Sequence, residues 1–324
     1  MPDNEAMQRS ARGEWIARLL EREPDQLVDS PRLENYRARI TLHPDDAGRL
    51  GYFRPRSHIH DPITACPLAR PEINAVLAKL PPVPKGLDAV ELRSSGSSVV
   101  LAARRRKQHR GKVDRRALAA LMDAGLQGVA LDGATIAGDP TITLTVSDIT
   151  HRLQPATFYQ VNLEINAHMV ALVRARINTL APSRLLDLYA GAGNLSLPLA
   201  ADGIPVTLIE SAPSSTADAA HTVKRHGLSS QVEIRTANAN RFQAGDAFFD
   251  VALLDPPRRG APGVLPQLLM TRPRAIIYIS CNPAALVRDL KPARAAGYTL
   301  DEVVVFEMFP QTPHAEVFVR LSRP

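Results

Sequence analysis

Leu185-Leu186-Asp187-Leu188-Tyr189-Ala190-Gly191-Ala192-Gly193-Asn194 is a short apolar run that stops at a glycine-bearing turn and leads into a helical stretch. A run of this kind is a strand buried on both faces of a sheet. In an open α/β sheet, ligands bind in the crevice beyond the strand C-termini, where glycines admit them close to the backbone. A dinucleotide fingerprint asks for a third glycine at position 196, which here is Ser196. The pattern therefore favours a ligand without pyrophosphate over NAD. Glu210 ends the next apolar run, where an acid can accept both hydroxyls of an adenosyl ribose, in adenosylmethionine or NAD alike.

The same rhythm continues downstream. The amphipathic helix Asn162–Leu180 precedes Leu185–Tyr189, and Val206–Ile209, Val232–Ile234, Val251–Leu254, Ala275–Ile279 and Val303–Phe306 follow, mostly with helical stretches between them. That alternation predicts a parallel sheet covered on both faces. Ala315–Leu321 follows Val303–Phe306 after a short polar turn, so a hairpin should make the last strand antiparallel. The expected fold class is α/β: a Rossmann-like, seven-stranded, mostly parallel sheet of the class I methyltransferase type, plus a smaller α+β domain. Asn238, past the third run, is placed for an adenine edge, and Asp255, ending the fourth, for a methionine end.

Toward the N-terminus the texture differs. Residues 6–22 read as a helix, with Ile16, Leu19 and Leu20 at helical spacing, broken by Pro24 and by Asp29-Ser30-Pro31. From Tyr36 to Asp148 short alternating or β-branched stretches lie between turn residues, and Pro81-Pro82-Val83-Pro84 reads as a stiff connector. The expected division is residues 1–32 as a helical lead, 33–150 as the α+β domain and 151–324 as the methyltransferase domain.

With 324 residues, 45% hydrophobic and 22% charged, the composition is that of an ordinary globular chain. No apolar run approaches the roughly 20 residues that span a bilayer. The polar N-terminus resembles no secretory signal, and two cysteines build no disulfide framework, so the expected location is cytoplasmic and membrane-free. The net charge of +6 favours a polyanionic partner. Arg104-Arg105-Arg106-Lys107, Arg110, Lys112, Arg115 and Arg116 concentrate eight cations within thirteen positions. Such a stretch is either a solvated face or a phosphate-binding patch.

The chemistry concentrates in Asp255-Pro256-Pro257-Arg258-Arg259-Gly260, Ser280-Cys281-Asn282-Pro283 and Met308-Phe309-Pro310-Gln311-Thr312-Pro313-His314-Ala315-Glu316. Cys281 follows a strand, so its thiol should stand at the functional edge of the sheet, placed for nucleophilic work. Glu316 offers a carboxylate base. His314 is an acid–base candidate or a structural turn residue, and no His, Cys, Asp or Glu cluster has zinc spacing.

These motifs, together with Phe158-Tyr159-Gln160-Val161-Asn162, Asp187–Asn194 and Glu210, resemble the RNA 5-methyluridine methyltransferase family. The stretch Tyr36–Asn74, with Gly51-Tyr52-Phe53 and Cys66-Pro67-Leu68, resembles that family's central RNA-contacting domain. The resemblance implies S-adenosylmethionine-dependent methylation of a uridine in tRNA or 23S rRNA, by a monomer. It implies Cys281 as nucleophile and Glu316 as base. Gln160, Tyr189, Asn194, Glu210, Asn238 and Asp255 would contact S-adenosylmethionine or position the target base.

Many relatives carry an N-terminal RNA-binding barrel and three further cysteines that help hold an iron–sulfur cluster. Here only Cys66 matches a cluster ligand, so no cluster is expected and Cys66 should be a vestigial buried thiol. The basic stretch is then expected to carry more of the RNA binding. Ala285 and Glu307 stand where relatives commonly have Thr and Asp.

The chemistry of uracil explains the residue types. Carbon 5 is too weak a nucleophile to attack a sulfonium methyl unaided, and thiolate addition at carbon 6 generates a nucleophilic enolate. A base must afterwards remove the carbon 5 proton. The site is therefore expected to lower the thiol pKa from about 8.5 or to supply a proton acceptor, with Arg258, His314 or the sulfonium as helpers. Two alternatives are an RNA cytosine-5-methyltransferase and a catalytically idle RNA-binding or assembly factor. The C-terminal segment argues against the first, and the intact Cys281 and Glu316 argue against the second.

Overall fold

The computed structural model describes residues 2–108, 111–243 and 248–323. The chain divides into two compact units, residues 1–31, 145–149 and 164–324 in one and residues 32–144 and 150–163 in the other.

The first unit is built on one sheet. In spatial order its strands are Gln26–Val28, Thr299–Phe306, Glu316–Ser322, Ala275–Ser280, Val251–Leu254, Leu185–Leu188, Val206–Glu210 and Val232–Thr236. Glu316–Ser322 alone runs antiparallel, inserted between Ala275–Ser280 and Thr299–Phe306. The chain leaves Leu185–Leu188 for the strands on one side and later crosses back to Val251–Leu254 on the other. That reversal opens a crevice at the C-terminal edge. Both faces are covered by apolar residues. Ile165, Met169, Val173 and Ile177 of helix Leu163–Leu180 pack on one; Leu286 and Leu290 of helix Pro283–Ala295, with Ile16 and Leu20, pack on the other.

The sheet has eight strands where seven were expected. The addition is Gln26–Val28, paired in parallel with Val304–Phe306. The N-terminal helix, Pro2–Leu20, leads into it, so residues 1–31 belong to the methyltransferase unit and are not a separate lead. Residues 150–163 likewise fall in the other unit, against the expected boundary at 151. The reason is a dense set of local bonds. Arg93, almost wholly buried, donates to the carbonyls of Gln154, Pro155 and Thr157. Tyr159 donates its hydroxyl to the Ala38 carbonyl at 2.9 Å.

The smaller unit contains a seven-stranded sheet in the order His60–Pro62, Leu50–Phe53, Arg39–Pro44, Leu87–Ser94, Val99–Arg105, Gly128–Leu131 and Ala134–Gly138. Ile40, Leu42, Leu92 and Leu101 pack with Ile73 of helix Pro71–Leu77 and Leu118 of helix Arg115–Ala120. A further hairpin, Ile142–Val146 with Ile149–Leu153, turns on Ser147 and Asp148, both at positive φ as a two-residue hairpin turn requires, and its tip, residues 145–149, belongs to the first unit.

Candidate active site

Strand register places Cys281 and Glu316, the candidate nucleophile and base. Ser280 pairs with Val317 in an antiparallel ladder, so one step further sets Cys281 across from Glu316. On its other side Glu316 pairs with Phe306. A parallel strand brings its end to the crevice, and the reversed strand brings its beginning. Cys281 and Glu316 therefore share one edge although they leave it in opposite chain directions. Asp255 reaches the same edge one residue past Leu254, which pairs with Tyr278.

The loop bearing Cys281 is tightly held. Asn282 caps helix Pro283–Ala295, accepting from the Ala285 amide, while its own amide donates to the Arg258 carbonyl at 2.9 Å. Asn then Pro at the start of a helix is a strong capping pair. Gly260 has φ +74°, and a Cβ there would lie 2.2 Å from Asp289 Oδ2 and 2.6 Å from the Arg288 guanidinium. Asp289 Oδ2 accepts from the Ala261 amide at 2.6 Å and from the Tyr278 hydroxyl at 2.7 Å. Arg288 donates to the Arg259 carbonyl at 2.7 Å. Tyr278, Asp289 and Arg288 thus dock the Asp255–Gly260 loop; their spacing in sequence carries no motif that would have revealed it.

The electrostatics run against one expectation. Burial is the main influence on the Cys281 thiol; with Glu316 and Asp255 nearby it is pushed up to about 11, and Arg258 only partly opposes it. The protein's own groups therefore raise this pKa, which goes against the first of the two expected routes, a lowered pKa, and leaves the second, a proton acceptor. Burial also lifts Asp255, and lifts Glu316 well above the carboxylate range, with Asp255 adding to the effect and Arg258 opposing it. Desolvation and mutual repulsion both make these carboxyls stronger proton acceptors than free ones. His314 Nε2 lies 3.5 Å from the Arg258 guanidinium, and its ring meets Phe309 edge-on at 6.2 Å.

The cofactor candidates sit around the first strand. Asp187 is buried, and neither carboxyl oxygen has a hydrogen-bond partner of good geometry. Burial pushes its carboxyl up to about 8, with the Ser196 hydroxyl opposing. Glu210 Oε2 accepts from the Gly191 amide at 3.1 Å, and Oε1 from the Ala212 amide at 2.7 Å and the Ser211 hydroxyl at 3.0 Å. It therefore ties the glycine turn to the start of helix Pro213–Arg225. Gly193, at φ +81°, packs where a Cβ would lie 2.5 Å from Leu197, while a Cβ at Gly191 would meet open space.

Tyr189 is at φ +63° and donates to Asn240 Oδ1 at 2.8 Å. Asn238 accepts from the Asn240 amide at 3.0 Å. Asn194 and Asn166 exchange two amide bonds of 2.8 and 3.0 Å. These residues lie in the methyltransferase unit with Cys281 and Glu316; Gln160 lies in the other.

Asp187, Glu210 and Asp255 mark the ends of three neighbouring strands. The buried Asp187 carboxyl, with the Ser196 hydroxyl beside it, leads into an open glycine turn, and this acidic edge fits a cationic ligand such as S-adenosylmethionine, with its sulfonium and ammonium. An iron–sulfur cluster does not fit. The chain has two cysteines and a four-iron cluster takes four thiolates. Cys66 is buried, with its sulfur 3.7 Å from the Tyr52 hydroxyl and its amide and carbonyl bonded to Asn74. Among the described residues no His, Cys, Asp or Glu group could hold a metal ion, and no helix is long and apolar enough to cross a membrane.

Comparison with known proteins agrees with this geometry. A solved structure of Pyrococcus abyssi tRNA (uracil-54, C5)-methyltransferase in complex with S-adenosyl-L-homocysteine superposes with a TM-score of 0.77, covering 98% of this chain and 83% of that one at 22% identity. At that identity it speaks for the fold. Two 23S rRNA (uracil(1939)-C(5))-methyltransferases are similar in sequence. That of Pectobacterium carotovorum subsp. carotovorum is 33% identical over 96% of this chain and 74% of its own length. That of Edwardsiella ictaluri is 32% identical over 96% and 76%. The family profile described as tRNA (Uracil-5-)-methyltransferase matches residues 139–324. The chain belongs to the tRNA (uracil-5-)-methyltransferase family and is an S-adenosylmethionine-dependent RNA uracil-C5-methyltransferase.

Proposed function

We propose that Cys281 and Glu316 together methylate a uridine of 23S ribosomal RNA, the RNA in the names of the sequence relatives, and that the protein works in the cytoplasm. The register that sets Cys281 across from Glu316 carries this reading. The Cys281 thiol gives its proton to solvent, the thiolate adds to carbon 6 of the uracil, and the ring electrons gather as an enolate at carbon 5 and oxygen 4. Bound S-adenosylmethionine supplies the electrophilic methyl that carbon 5 takes. Glu316 then removes the carbon 5 proton, carbon 5=carbon 6 reforms, and the thiolate leaves. Asp187, Tyr189, Asn194, Glu210, Asn238 and Asp255 hold the cofactor, and Gln160 contacts it or the target base.

Because the thiol is raised to about 11 in the protein alone, Arg258 and the cofactor's positive charge act in the same direction when they favour the thiolate. On the smaller unit, the exposed ring of Phe158 under the Arg39 guanidinium (4.5 Å) offers a stacking face to an unpaired base.

The test uses the protein, S-adenosylmethionine and 5-fluorouridine-containing rRNA. Fluorine cannot leave as a cation, so a covalent adduct should persist and map to Cys281. An adduct that survives in Cys281→Ala overturns the nucleophile. Glu316→Gln should trap the methylated adduct on ordinary uridine, and normal turnover in it would overturn the base. Absence of any adduct or methyl incorporation with the unaltered protein would instead favour an idle RNA-binding factor.

A further inference from the structure

The nine-residue passage from Glu307 to Ala315 delivers Glu316 to the active edge, and the N-terminal segment holds both of its limbs. Arg12 of helix Pro2–Leu20 donates from Nη1 to Glu307 Oε1 at 2.9 Å and from Nη2 to the Thr312 carbonyl at 3.1 Å. Glu307 Oε2 accepts from the Ser30 amide at 3.1 Å, and the Glu307 amide donates to the Val28 carbonyl at 2.9 Å. The two side chains are only 7% and 15% exposed.

A pair removed from water this far gains little net stability, because desolvation offsets its attraction. What it contributes is geometry: a planar guanidinium fixes two acceptors at once. The acceptors here are the first residue of the loop and a carbonyl four residues before Glu316. Cys281 is anchored by other groups, through Asn282 and the Arg258 carbonyl.

We propose that Arg12 and Glu307 are positioning residues for the base, acting through this loop on the second half of the reaction only. The inference rests on the reading of Glu316 as base. Proton abstraction asks for a carboxylate oxygen within hydrogen-bond reach of carbon 5, and a displacement of about 1 Å can cost about 10²-fold. In that half-reaction the carbon 5 proton passes to Glu316, the C–H electron pair becomes the carbon 5=carbon 6 bond, and the carbon 6–sulfur pair departs with Cys281. Thiol addition and methyl transfer need no such carboxylate.

The experiment follows both halves in Arg12→Gln, with Glu316→Gln as reference. With ordinary uridine RNA, Arg12→Gln should accumulate a methylated Cys281 adduct and lose turnover by about 10-fold or more. Its rate of adduct formation on 5-fluorouridine RNA should stay within about two-fold of wild type, a separation that general loosening of the fold would not produce. Arg12→Lys, which holds one acceptor instead of two, should fall between. If Arg12→Gln fails to fold, Arg12→Lys and Glu307→Gln decide by the same two rates. Unchanged turnover, or equal loss of both rates, overturns the positioning role. Should Glu316→Gln itself release product normally, the base assignment fails; should it trap the adduct while the Arg12 and Glu307 variants do not, only the positioning inference fails.

Discussion

A thiol pushed up to about 11 is almost entirely protonated at neutral pH, so each charge around Cys281 has a visible kinetic weight. Arg258 is the neighbour that favours the thiolate. Removing it as Arg258→Met should move the pH midpoint of Cys281 alkylation upward and slow alkylation at any pH below it; an unchanged profile would show that Arg258 does not act on the thiol. Asp187 gives a second pH signature. Its carboxyl rises from the ordinary 3.8 to about 8 in the fold. The folded state therefore binds more protons than the unfolded state across that window, and stability present at low pH is lost as pH rises through about 8. Melting temperatures of the cofactor-free protein should fall between those limits, and Asp187→Asn should flatten the decline. A slope unaltered in that variant would assign the loss to other groups.

At the scale of elements, Gly260 is the residue on which loop docking turns. Gly260→Ala has to accommodate a left-handed φ and a Cβ 2.2 Å from Asp289 Oδ2. It should cost about 1–3 kcal/mol of stability and lower kcat more than it alters cofactor binding, read by thermal unfolding and single-turnover methylation. Full activity in that variant would mean that the Asp255–Gly260 loop works without its seat on helix Pro283–Ala295.

Much of this level was legible beforehand. A cysteine just past an apolar strand and a glutamate opening a reversed one are local patterns, and register did the rest. Gln26–Val28 was not legible, because three residues between Pro24 and the Asp29-Ser30-Pro31 break hold no periodicity, and its partner strand lies far along the chain. Gln160 was assigned to the wrong unit for a similar reason. Its segment is captured by Arg93, whose buried guanidinium has no sequence signature. The raised Cys281 pKa depends on desolvation and on two carboxyls from other strands, which only the assembled edge brings together.

For the whole molecule, RNA capture is a question of which cations remain available. Arg104 is paired with Asp88 at 2.7 Å and Arg105 with Asp132 at 3.5 Å. Arg110 lies outside the described residues. Arg106, Lys107, Lys112, Arg115 and Arg116 are exposed around the passage into helix Arg115–Ala120, so these five are expected to be the better phosphate ligands. Neutralising them should weaken RNA binding and flatten the log K against log salt plot by about 0.7–0.9 per lost contact. Neutralising Arg104 and Arg105 should change the slope much less. Equal slopes for the two sets would return the stretch to a solvated face.

The edge strand Gln26–Val28 also sets an order of events during synthesis. The Asp25 carboxylate meets the Val303 amide across 278 residues, and Ser30 meets Glu307 across 277. Contacts of such long sequence separation close late. A growing chain emerges N-terminus first, so the segment that grips the Glu307–Ala315 loop must wait until residues 303–307 have been made. A chain cut short before Glu316 would lack the strand between its neighbours, leaving Thr299–Phe306 without its bridge to the central sheet. The contacts that hold the loop before Glu316 thus form only once the chain has been made past Glu307.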